Sequence, residues 1–177
     1  LSTPEVNTEF AGEIFPSAGA EIYLRPDLTL SPVEAYVWEG VENASDEAYG
    51  KIIIKRRYAP GKAMELLPGE TLVVDFGQNA AAVPAFEFKA AEGTVLTCLP
   101  AELLNDGNGA KSRGMDGPEG SCHRLNLRTP NDGMILEYTF GDADGYVSYS
   151  PRCTFYGYRY VSITSTAPVT IKSVVSV

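Results

Sequence analysis

The chain has 177 residues, 44% of them hydrophobic, enough to fold around one sizeable core and too apolar for a disordered tail. Its 14 Lys and Arg against 23 Asp and Glu leave a formal charge of -9, which repels phosphate backbones and makes nucleic acid a poor partner. No apolar run approaches the length of a membrane span, and no signal-peptide pattern follows Leu1, so the chain reads as a mature form or an excised piece.

Leu1 to Ser17 is polar and mixed, with Pro4 and Pro16, and suits an edge strand or a lead-in. Glu21 to Leu30 begins strand-like and is broken by Pro26. Ala35 to Trp38 is a short apolar run ending near a Gly40 turn. Trp38 is the only tryptophan; exposed, it is a platform for stacking a pyranose, and otherwise a core residue, the commoner outcome. Asn43 to Tyr49 suits one helical turn behind a Ser or Asn cap. Lys51 to Arg57 is β-branched at its centre and basic at its ends, a strand whose charges guard an edge.

Met64 to Gly69 leads into a strand from Thr71 to Gly77. Pro84 to Lys89 alternates Phe86 and Phe88 with Glu87 and Lys89, a period of two. Thr94 to Leu99 follows the Gly93 turn, and Ala101 to Leu104 follows that. Beyond the next loop come strands at Ile135 to Phe140 and Tyr146 to Tyr149, joined by a turn at Gly141 to Gly145.

Ser150 to Ile163 is the most aromatic stretch, read as a long strand with Pro151 at its opening. Gly157 in its middle suggests a bulge or a close backbone approach. Arg159, between Tyr158 and Tyr160, faces away from both and needs a carboxylate partner or water. Strand position suggests a structural ion pair with Glu102, and a place in a ligand site is the lesser reading. Val169 to Val177 closes the chain. About ten strand candidates at this spacing, with no sustained helical period, make the fold an all-β antiparallel sandwich or jelly roll. Repeats and linkers are lacking, so residues 1–177 read as one domain.

The three cysteines cannot all pair, and none has zinc-ligand spacing. Cys98 and Cys153 fall in apparent strands as buried thiols, and His123, the only histidine, reads as a surface imidazole. The loop from Asn105 to Asn126 is long, rich in glycine and densely charged, features of a functional or disordered segment. Three readings apply. A docking surface whose charges mostly pair with one another comes first. Sugar contact through Asp106, Asn108, Arg113, Asp116 and His123, with Arg124 beside them, comes second. Calcium on Asp106, Asn108 and Asp116 comes last, for the position-12 glutamate of an EF-hand loop is lacking. Asp116 with Glu119, or Asp142 with Asp144, is a conceivable carboxylate pair for glycoside hydrolysis, but nothing sets their separation and the second pair is explained by its turn. No catalytic constellation emerges, and no cofactor or metal is expected.

Several segments carry a resemblance: Val74-Asp75-Phe76-Gly77-Gln78-Asn79, Gly93-Thr94, Ala101-Glu102-Leu103-Leu104 with Asp106-Gly107, Asn126-Leu127-Arg128, and Pro151 through Tyr160. In order and rough spacing, from about Thr71 to Val177, they resemble the β-sandwich accessory domain that precedes the catalytic domain in bacterial α-L-rhamnosidases. Residues Leu1 to Glu70 carry no matching motif. The resemblance implies a concanavalin-like or jelly-roll sandwich cut from a larger enzyme, with a helical-barrel domain of the same parent chain as its partner. Hydrolysis, by inversion, would belong to that domain. It also implies a periplasmic or secreted parent. Two departures stand out: Ala80-Ala81-Ala82-Val83-Pro84 replaces a run with Gly and Trp, and the Asn105–Asn126 loop is longer than the common form. The other expectations are an autonomous carbohydrate-binding module, calcium-dependent or not, and a free-standing hydrolase.

Overall fold

A computed structural model describes residues 12, 13, 16, 19, 23–107, 111, 116–124 and 134–177. The predicted first segment, Leu1 to Ser17, lies almost wholly outside them. Among the described residues there are twelve strands and one short 3-10 helix, Pro26–Leu28, where Pro26 breaks the strand-like run.

The strands are β1 (Glu34–Glu42), β2 (Lys51–Tyr58), β3 (Met64–Leu66), β4 (Thr71–Ala82), β5 (Pro84–Ala90) and β6 (Val95–Ala101). After them come β7 (Leu103–Leu104), β8 (Cys122–His123), β9 (Leu136–Thr139), β10 (Val147–Tyr149), β11 (Tyr156–Ser165) and β12 (Val169–Ser176). Six form one sheet in the order β2-β1-β4-β11-β6-β9, four form a second in the order β10-β5-β12-β3, and β7 pairs with β8. All strand pairings are antiparallel, as the sequence predicts.

The two large sheets close on one core. Val37, Leu72, Val74, Leu96, Val161 and Ile163 of the six-stranded sheet meet Met64, Leu66, Phe86, Phe88, Ile171 and Val174 of the four-stranded one. Period-two alternation carries this face, and Phe88 sits at its aromatic centre, 4.7 Å from the Phe140 ring and 4.9 Å from the Tyr138 ring. Past Cys98, which pairs with Leu136 at the start of β9, β6 has a strand neighbour on one side only, and there Pro100 is tolerated.

Several local expectations change. Asn43 to Tyr49 forms no helical turn; the Ser45 hydroxyl accepts the amides of Glu47 and Ala48 at 3.3 and 3.2 Å, a side-chain substitute for helix bonds. β1 runs on through Gly40, with register shifts on both sides of Trp38. Trp38 is half-buried against a second, smaller apolar cluster. The basic residues of β2 do lie on a sheet edge, and each is paired: Lys51 with Glu119, Lys55 with Glu39, Arg56 with Glu70 and Arg57 with Glu34.

The aromatic strand begins only at Tyr156, because residues 150–155 are irregular and Cys153 takes a left-handed φ of 59°. Cys153 is therefore exposed rather than buried in a strand. The bulge lies on β4 opposite Arg159, and not at Gly157. There, β4 takes five steps from Asp75 to Ala80 while β11 takes two from Tyr160 to Tyr158. The result inverts the alternation of β11. Tyr158 and Val161 enter the main core, whereas Tyr160 joins Tyr36, Ile52, Val73 and Ala101 on the outer face.

Candidate functional site

The outer face of the six-stranded sheet holds two places where charge is brought inside. The first is the bulge. Asp75 is the one carboxylate in the run Leu72 to Phe76, and alternation turns it away from the main core. Its Oδ1 accepts the Gly77 amide at 2.7 Å, so the side chain folds back over the bulge. Arg159 then closes a two-pronged ion pair, Nε to Oδ1 and Nη2 to Oδ2, both at 2.8 Å. Gly77 has φ 83°, and a Cβ there would sit 3.1 Å from Val33, so the position suits glycine on both counts.

Burial pushes the Asp75 carboxyl up, but the Arg159 and Gly77 bonds outweigh it and hold the carboxyl below its ordinary value. Arg159 is raised, chiefly by its bond to Asp75. The partner of Arg159 is thus Asp75 and not the expected Glu102, whose Oε1 receives the Asn79 amide at 3.3 Å. The bulge places Arg159 on the outer face beside Asp75, a consequence that a straight-strand reading misses.

The second place is the loop after β7. The strand pair β7–β8, with Leu103 opposite His123 and Leu104 opposite Cys122, folds the segment into a flap. Leu104 and Cys122 pack on the outer apolar cluster. The Tyr36 hydroxyl donates to the Gly120 carbonyl at 2.6 Å, and the Ile52 amide donates to the Glu119 carbonyl at 3.1 Å, tying the flap to β1 and β2. Gly120 has φ 88°, and an added Cβ would stand 3.0 Å from Ile52, so close approach needs glycine.

Inside the flap, Asn105 is only 3% exposed. Its amide donates to Asp116 Oδ1 and Ser121 Oγ, both at 2.9 Å, and its Oδ1 lies 3.1 Å from His123 Nδ1. His123 Nδ1 also lies 3.3 Å from Asp116 Oδ1, while Asp116 Oδ2 accepts the Arg124 backbone amide at 2.6 Å. The Ser121 hydroxyl donates to the Pro118 carbonyl at 2.6 Å. His123 is therefore buried, against the surface position expected, because β8 turns it into this cluster.

Of the residues singled out in sequence, the structure brings Asp116, His123 and the Arg124 backbone together. Asp106 lies exposed at the rim, and Asn108 and Arg113 lie outside the described residues. Asn105 and Ser121 are the organising members that sequence reasoning missed; their uncharged side chains at the loop's flanks give no signal until β7 and β8 pair. Among the described residues, no group of three or more His, Cys, Asp or Glu is placed to hold a metal ion. Burial pushes the Cys122 thiol up to about 12 and the Cys98 thiol higher still, so neither is a ready nucleophile.

Comparison with known proteins agrees with this architecture. A stretch described as an "Alpha-L-rhamnosidase" from Streptomyces avermitilis is 30% identical over 115 residues, covering 65% of this chain and 10% of the relative. Another "Alpha-L-rhamnosidase", from Alteromonas sp. strain LOR, is 28% identical over 95 residues, covering 54% of this chain and 9% of the relative. The matched region is thus about a tenth of these relatives. The solved "rhamnosidase from Klebsiella oxytoca with rhamnose bound" shares the fold with a TM-score of 0.50 and 12% identity, over 84% of this chain and 28% of that one. Residues 65–177 match the family described as "Bacterial alpha-L-rhamnosidase concanavalin-like domain", and the chain belongs to that family.

Proposed function

We propose that residues 1–177 are one non-catalytic β-sandwich domain of a larger α-L-rhamnosidase-like glycoside hydrolase, supporting a helical-barrel catalytic domain of the same parent chain. The carrying observation is the use made of Asp116. Both of its oxygens are spent on the flap, Oδ1 on Asn105 and His123, Oδ2 on the Arg124 amide. A carboxylate committed in this way is a fastener rather than a proton donor or a sugar ligand. The flap also roofs the outer apolar cluster, so its inward chemistry is structural.

The test has two parts. The purified chain should not turn over an aryl α-L-rhamnoside, whereas the longer parent should, and turnover by the chain alone would overturn the proposal. Titration with L-rhamnose and pectic oligosaccharides, with and without a chelator, should show no saturable heat. Saturable binding would instead favour an autonomous carbohydrate-binding module, with or without calcium.

A further inference from the structure

Four of the exposed large apolar side chains gather at one groove of about 1070 Å³: Tyr23 (70% exposed), Leu24 (55%), Leu28 (62%) and Phe155 (58%). Its floor is the far end of β4, Ala80 to Ala82, and Val177 lines it as well. Among the described residues, the only charged side chains in the lining, Arg25 and Asp27, neutralise each other through bonds of 2.9 and 2.6 Å. Clustered apolar exposure of this kind marks an interaction surface. Phe155 is presented by a segment in which the non-glycine residue Cys153 has φ 59°, a conformation held at some cost on an exposed segment.

We infer that this groove is the docking face for another domain of the same longer chain, an inference that rests on the accessory-domain reading above. Three observations select that occupant. The matched region is about a tenth of its curated relatives, so most of such a chain lies outside it. Val177 lies in the groove, so polypeptide continuing past it is held beside the groove at a high effective concentration. A second copy is opposed by charge, since each chain carries -9. The net-neutral, mainly apolar lining favours an apolar face over an ion.

Cys153 lines the groove and is exposed, while Cys98 is buried and the Cys122 thiol stays protonated at ordinary pH. Cys153 alkylation, followed by mass spectrometry of its peptide, therefore reports whether the groove is covered. In the longer chain, labelling should be at least tenfold slower than in the 177-residue chain. Phe155→Glu combined with Leu28→Glu in the longer chain should restore the fast rate, with thermal unfolding confirming that the variant is folded.

Equal rates in the two native proteins, with rhamnoside hydrolysis intact in the longer one, would overturn the docking face and leave the accessory role standing. Slow labelling of the 177-residue chain at every concentration would mean that the chain covers its own groove. Slowing only on concentration would mean a second copy. Either result overturns the inference. Turnover by the 177-residue chain alone would instead overturn the accessory reading.

Discussion

The two faces of the six-stranded sheet are built from the same strands and closed in different ways. The inner face meets another sheet and is sealed by Leu, Val, Ile and Phe side chains that need only size and alternation. The outer face is roofed by an irregular flap, whose Asn105, Asp116, Ser121 and His123 side chains are held by specific polar partners. Non-directional burial tolerates many sequences. The flap depends on a few hydrogen bonds whose loss leaves others stranded, so damage to the two faces should differ in extent as well as in size.

The largest effect is expected on the inner face. Phe88→Ala empties a fully buried ring site beside Phe86, Tyr138 and Phe140 and should cost about 3–5 kcal/mol in urea denaturation. Backbone amide exchange should accelerate throughout both sheets. If only one sheet responds, the two do not share a cooperative core.

Asn105→Ala should cost about 3 kcal/mol or less, because it takes one hydrogen-bond partner from each of Asp116, Ser121 and His123 at once. Here exchange should accelerate selectively at the amides of Asn105, Glu119, Gly120 and Ser121, ahead of global unfolding. Uniform acceleration would erase the distinction between flap and core.

Asp75→Asn should cost about 2 kcal/mol near neutral pH, since it weakens a charge-assisted pair whose arginine is partly solvated. The Asp75 carboxyl is held below its ordinary value of about 4, so its contribution is complete above that pH and is lost as pH falls through the folded value. Stability of the native chain should therefore fall on the acid side more steeply than that of the variant. Parallel acid limbs would show that the pair contributes nothing. The smallest effect belongs to Tyr36→Phe, which removes one tether to the Gly120 carbonyl and should cost about 1 kcal/mol, read as a small shift in the urea midpoint.

Legibility in the sequence followed the same division. The alternation of Phe86 and Phe88, the β-branched centre of β2 and the closing Val169–Ser176 strand all reach the structure much as expected. Two of the family motifs meet in a way the sequence reading does not anticipate: Asp75 from one and Arg159 from another form an ion pair. What failed depended on residues far apart in the chain. A straight strand suggests Glu102 as the partner of Arg159, and the Asp75–Ala80 bulge changes which side it faces. His123 reads as a surface imidazole in sequence, but pairing with Leu103 buries it. Cys153 reads as a buried thiol in an apparent strand, but the strand starts three residues later.

By itself, then, the sequence determined the all-β class, the inward-facing aromatics and the family, because side-chain period and short motifs are local and survive without knowledge of neighbours. Tertiary structure alone decided which carboxylate Arg159 meets, which face Tyr160 joins and how Asp116 is spent. Those outcomes hang on register and bulges, where a shift of one residue moves a side chain to the opposite face of the sheet.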